Sequence, residues 1–123
     1  MKKKILIVND NKVIVEQISI WLKYNGYKVI AAFGATQALA MANHEKPDLI
    51  LLDNRMPLVS GLSIIGKLRK LSETAMIPII VITGSPGSYV SDLALELGAA
   101  DILGKPFDVK EMLGKIKKAL AQN

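Results

Sequence analysis

Apolar residues in this chain fall into two kinds of run that alternate along its length. Ile5-Leu6-Ile7-Val8 is short and unbroken, as in a strand buried on both faces. Residues 11–25 instead carry Ile14, Ile18, Trp21 and Leu22 at helical spacing, with Asn25-Gly26 as a stop signal. The same switch repeats. Residues 27–31 predict a second strand, and the Ala-rich stretch 35–44 a helix closed by Pro47. Residues 48–53 predict a third strand, and 61–71 a helix with Ile64, Ile65, Leu68 and Leu71 facing inward. Residues 77–83 predict a fourth strand with Pro78 near its start, where proline is tolerated. Residues 88–97 predict a short helix ended by Gly98, 100–103 a fifth strand, and 108–121 a last helix through Val109, Met112, Leu113, Ile116 and Leu120.

Unbroken apolar strands separated by amphipathic helices call for a parallel sheet covered on both faces. Right-handed crossovers make the layout doubly wound. The expected fold is therefore an α/β (βα)5 arrangement around a five-stranded parallel sheet. Periodicity leaves the strand order open, 2-1-3-4-5 being one of the two common choices. No repeat, low-complexity tract or linker interrupts the pattern, so residues 1–123 are expected to form a single domain.

Composition narrows the function. With 123 residues, 22% of them charged and half apolar, the chain can bury a core, and disorder is excluded. The absence of cysteine excludes disulfides and thiolate metal sites. Lys2, Lys3 and Lys4 resemble a signal n-region, but only four apolar residues follow before Asn9-Asp10. A signal needs about 7–15 apolar residues and a membrane helix about 20, so a cytoplasmic location without membrane insertion is expected. The net charge of +5 permits anionic partners. The lysines are nevertheless dispersed and no recognition helix is apparent, so direct nucleic-acid binding is not expected.

Sites in open parallel sheets form at the carboxyl ends of the strands. There the sequence places Asn9-Asp10 after strand one, Asp53 at the end of strand three, Thr83-Gly84 after strand four, and Lys105-Pro106 beyond strand five. Each has a plain reading. Asp10 is a helix cap or turn former, Thr83 a strand-end threonine, and Lys105 a solvated cation. Asp53 is different, because a carboxylate that ends so apolar a run is partly desolvated unless a cation or donor meets it. Together the set makes chemical sense. Two carboxylates with carbonyl and water oxygens suit Mg²⁺. A carboxylate can be a nucleophile that becomes an aspartyl-phosphate, and a lysine and a hydroxyl can neutralise the phosphoryl oxygens.

Two stretches carry a family resemblance. Asp53-Asn54-Arg55-Met56-Pro57-Leu58-Val59-Ser60-Gly61 has the Asp-x-x-Met-Pro-x-x-x-Gly pattern, and Gly98-Ala99-Ala100-Asp101-Ile102-Leu103-Gly104-Lys105-Pro106-Phe107 matches a second signature. The chain resembles, over essentially its whole length, the chemotaxis-regulator-like receiver domain of bacterial two-component response regulators. The resemblance implies the flavodoxin-like order 2-1-3-4-5. It implies that Asp53 accepts phosphate from a phosphohistidine on a sensor histidine kinase or histidine phosphotransfer protein. Asp10 and Asp53 would be Mg²⁺ ligands together with the backbone carbonyl of Arg55, and Asn9 would act through water. Thr83 and Lys105 would hold the phosphoryl group, and Pro106 would shape its loop. Such a domain is no enzyme beyond its own phosphorylation and dephosphorylation, and it signals to a downstream protein target or a missing output domain.

The sequence departs from that pattern in places. Asn9 stands where the family carries Asp or Glu, which predicts weaker Mg²⁺ affinity; the plain alternative is relief of like-charge repulsion. Ile102 stands where the family has Tyr, Phe or His, and its plain reading is a core residue. Arg55, two residues past the acceptor, either shields the phosphoryl group from water or is solvated. Gly84 replaces a small residue, most often Ala, and loosens a turn-rich loop. His44 lies on a helix end away from the cluster, and Lys115, Lys117 and Lys118 are expected on the wet face of the last helix. The competing class is a degenerate receiver that docks partners without phosphorylation. Neither a flavin site nor an aspartate-based phosphatase fits, since Asn9-Asp10-Asn11-Lys12 lacks a Gly- and hydroxyl-rich loop and an Asp-x-Asp.

Overall fold

A computed structural model describes residues 2–53 and 61–121. The elements run β1 (Lys4–Val8), α1 (Lys12–Tyr24), β2 (Lys28–Ala32), α2 (Ala35–Glu45), β3 (Leu49–Asp53), α3 (Gly61–Lys70), β4 (Ile79–Thr83), α4 (Tyr89–Leu97), β5 (Asp101–Gly104) and α5 (Val109–Ala121). Each lies where the hydrophobic pattern predicts it. The sheet order is β2-β1-β3-β4-β5, as the family resemblance implies, and every neighbouring pair is parallel. Pro78 stands just outside β4: it has no N–H to give the ladder, but its carbonyl accepts the Ile50 N–H (2.9 Å).

Successive strand side chains point to opposite faces, so each unbroken apolar run feeds two cores. Leu6, Val8, Ile50, Leu52, Ile79 and Val81 meet Ala38, Ala42, Ile64, Ile65, Leu68 and Ala94 from α2, α3 and α4. Ile5, Ile7, Leu49, Leu51, Ile80, Ile82 and Leu103 meet Val15, Ile18, Leu22, Met112, Ile116 and Ala119 from α1 and α5. Trp21 packs at the rim of this second core. Leu71, expected inward, is instead 47% exposed, because α3 ends at Lys70 and the turn carries the next side chain off its buried face. Lys115, expected in solvent, is half-buried and paired with Asp101 of β5 (3.3 Å).

Two long-range contacts set the position of α4. Arg69, at the end of α3, donates to the carbonyls of Gly98 (2.8 and 3.2 Å), Ile77 (2.8 Å), Ala75 (3.0 Å) and Thr74 (3.3 Å). Burial pushes the pKa of its guanidinium down. Gly98 caps α4 at φ +116°, and a Cβ there would lie 2.9 Å from Arg69 Nε, so glycine is required by conformation and by space. At the opposite end of α4, Pro86 lies across Gly104. A Cβ on Gly104 would fall 2.7 Å from Pro86 Cγ.

Candidate active site

The carboxyl ends of β1, β3 and β5 converge on one cleft of about 300 Å³, lined by Asn9, Asp10, Asn11, Ile14, Asp53 and Lys105. Asp53 closes β3 with its side chain only 6% exposed, and Lys105 Nζ stands 3.4 Å from Oδ2 and 3.5 Å from Oδ1. That separation exceeds the roughly 2.8 Å of a charge-assisted hydrogen bond, so the two groups pair as charges across a gap. The cation that a buried carboxylate requires is thus supplied from a strand end 52 residues away. The Lys105-Pro106 peptide is cis.

Asp10 is exposed on the cleft rim and is not the cap of α1. Asn11 takes that role, its Oδ1 accepting the Val13 and Ile14 N–H groups (3.0 and 3.3 Å). The plain reading of Asp10 as a helix cap is therefore overturned, and the residue lines the cleft. Asn9 is buried, 2% exposed, and its Oδ1 accepts the Asn11 N–H (2.9 Å) in an Asx turn. Thr83 ends β4, is buried, and lies opposite Gly104, with its Oγ1 accepting the Ser85 N–H (3.1 Å). It stands beside the cleft rather than in its lining, and its carbonyl accepts the Lys105 N–H (2.7 Å).

Asp53, Asp10, Asn9 and Lys105 are thus brought together, with Thr83 on the neighbouring strand end. Arg55 and the rest of the 54–60 stretch lie outside the described residues. Ile102 is half-buried against the core on the α4 side, its plain reading. His44 is exposed in the last turn of α2, at the opposite end of the sheet. Sequence reasoning missed the roles of Asn11 and Ile14. An Asn directly before a helical run is a cap signal and could have identified the first. Phe33 was also missed; its ring meets Lys12 Nζ at 5.6 Å.

Mg²⁺ takes hard oxygen ligands and usually keeps several waters, with one or two protein carboxylates. The carboxylates of Asp10 and Asp53 in one polar cleft fit that ion. Among the described residues no group of three or more acidic, histidine or cysteine side chains is placed to hold a metal.

Fold and cleft define a receiver, and the chain belongs to the response regulator receiver domain family, whose model matches residues 5–117. It is 38% identical over 123 residues to the alkaline phosphatase synthesis transcriptional regulatory protein PhoP of Bacillus subtilis (strain 168), covering all of this chain and 50% of that one. The chain therefore spans about half the length of that curated relative. Among solved structures, a CheY-like receiver domain protein from Methanospirillum hungatei JF-1 superposes with a TM-score of 0.92 at 31% identity, covering 99% of this chain and 96% of that one. The chemotaxis response regulator CheY4 of Vibrio cholerae superposes with a TM-score of 0.91 at 28% identity, covering 97% and 99%. The chain is a receiver of two-component signal transduction. Among the described residues no helix is long and apolar enough to cross a membrane.

Proposed function

We propose that this receiver accepts a phosphoryl group on Asp53 from a phosphohistidine and changes its partner binding in response. The observation that supports this most is the buried Asp53 carboxylate facing Lys105 Nζ at 3.4 Å, in a cleft that also holds Asp10. One Asp53 oxygen attacks phosphorus, the P–N bond to the partner's imidazole breaks, and the imidazole leaves with the bonding pair and takes up a proton. Lys105 turns its ammonium from the free carboxylate to the phosphoryl oxygens, whose charge it neutralises. Thr83, at the adjoining strand end, offers its hydroxyl to the same group. Asp10 and Asp53, with the Arg55 carbonyl and Asn9 through water, would hold Mg²⁺. When bound, the ion supplies charge neutralisation of the transferring group.

A sensor histidine kinase or a histidine phosphotransfer protein is the donor, and the cytoplasm is the compartment. PhoP is a transcriptional regulatory protein. A receiver of this family hands its state to a downstream protein or an output domain, and we read residues 1–123 as that one receiver module. Incubation with acetyl phosphate and Mg²⁺ followed by intact mass tests the chemistry. The expected result is a gain of one phosphoryl group that is lost in Asp53→Ala. An unchanged wild-type mass overturns it and leaves the phosphorylation-independent docking module.

A further inference from the structure

A concentration of like charge lies at the other end of the sheet. A concavity of about 430 Å³ beside the starts of β1 and β2 is lined by Lys2, Lys4, Lys23, Lys28, Tyr27, Val29 and Ile30. Four of the lining residues are lysines and none carries a carboxylate. Lys4 and Lys28 are direct partners in the β1–β2 ladder, a like-charge pairing that opposes the strand pairing. Glu45 offsets Lys4 alone (3.3 Å), and no ion pair joins Lys2, Lys23 or Lys28 to any described residue.

Ordinary structural uses account for only part of this. Lys23 sits in the last turn of α1, where a cation meets the helix C-terminus favourably. Lys28 sits on the edge strand, where a lysine discourages pairing with other chains. Neither use requires Lys2 and Lys4 around the same hollow, nor the apolar surface that Tyr27, Val29 and Ile30 add to its lining. Several lysines lining a hollow that also exposes apolar surface match a small multiply charged anion with an apolar portion.

We propose that this pocket binds a small ligand carrying at least two phosphate groups. It is separate from the Asp53 cleft and does not depend on phosphorylation there. The probe is inorganic pyrophosphate, titrated at physiological ionic strength so that distant charges are screened, with backbone amide NMR as the readout. Saturable shifts at Lys28, Val29 and Ile30 are expected. The Lys23→Gln/Lys28→Gln pair should weaken binding about tenfold, whereas Lys117→Gln/Lys118→Gln, with the same loss of charge, should change it less than about twofold. In that titration three results overturn the proposal: no saturable shifts, equal weakening by both pairs, or orthophosphate binding as tightly as pyrophosphate. Titration with ADP, and sedimentation with vesicles bearing a bisphosphorylated inositol lipid, then separate nucleotide from lipid headgroup. Binding of either sustains the site, and failure of both overturns it.

Discussion

Just past the end of β1, the Asn9 side-chain Oδ1 accepts the Asn11 N–H (2.9 Å) and almost no part of the residue meets solvent. An aspartate there keeps the same acceptor and adds a second, charged oxygen to a cleft that already holds Asp10 and Asp53. Asn9→Asp should therefore tighten Mg²⁺ binding roughly tenfold, since a further carboxylate near a divalent ion adds attraction that outweighs its repulsion from its neighbours once the ion is bound. Isothermal titration of the two proteins decides it, and equal affinities refute the weakened site. Asp53, Asp10 and Lys105 were legible in the sequence because each ends or follows a strand, and the ends of parallel strands share an edge. The turn made by Asn9 was not. An Asn side chain can serve its own backbone or the cleft, and the residue type is the same in both cases.

The elements themselves were legible to within a couple of residues, because burial on two faces and burial on one stripe leave different periods. What anchors α4 was not, since it depends on contacts between residues far apart in the chain. Arg69 reaches Gly98 across 29 positions, with nothing in the local pattern to distinguish it from the neighbouring Lys67 and Lys70. Removing it strands several carbonyls of a half-buried cluster, so Arg69→Ala should destabilise the fold by about 2–4 kcal/mol in urea unfolding. Arg69→Lys should recover less than half, because one ammonium cannot span the carbonyls that a planar fork reaches. Gly104→Ala tests the other anchor. The added methyl strikes Pro86 and should cost about 1–3 kcal/mol. In Gly104→Ala/Pro86→Ala most of that loss should disappear, and a cycle showing strict additivity would refute the contact.

Across the whole molecule the +5 charge is unevenly placed. The carboxylates Asp10 and Asp53 gather at one edge of the sheet, and the lysine pocket lies at the other. The alternation of apolar runs was enough to give a parallel sheet covered on both faces. The strand order needed the family resemblance, because periodicity carries no information on which strands are neighbours. The polarity has a global consequence. Asp53 pairs with Lys105, while Asp10 stands on the cleft rim with no ion pair among the described residues, and a divalent ion held by the two carboxylates in the folded cleft stabilises the folded state and not the unfolded chain. At a Mg²⁺ concentration about 100 times its Kd the gain should be ~2.7 kcal/mol. For a domain of this size each kcal/mol moves Tm by roughly 3–5 °C, so thermal unfolding should shift clearly upward with Mg²⁺. Asp10→Ala should flatten that response and Asn9→Asp should bring it to lower concentration. A wild-type Tm that ignores Mg²⁺ would show that the two carboxylates do not act on one ion.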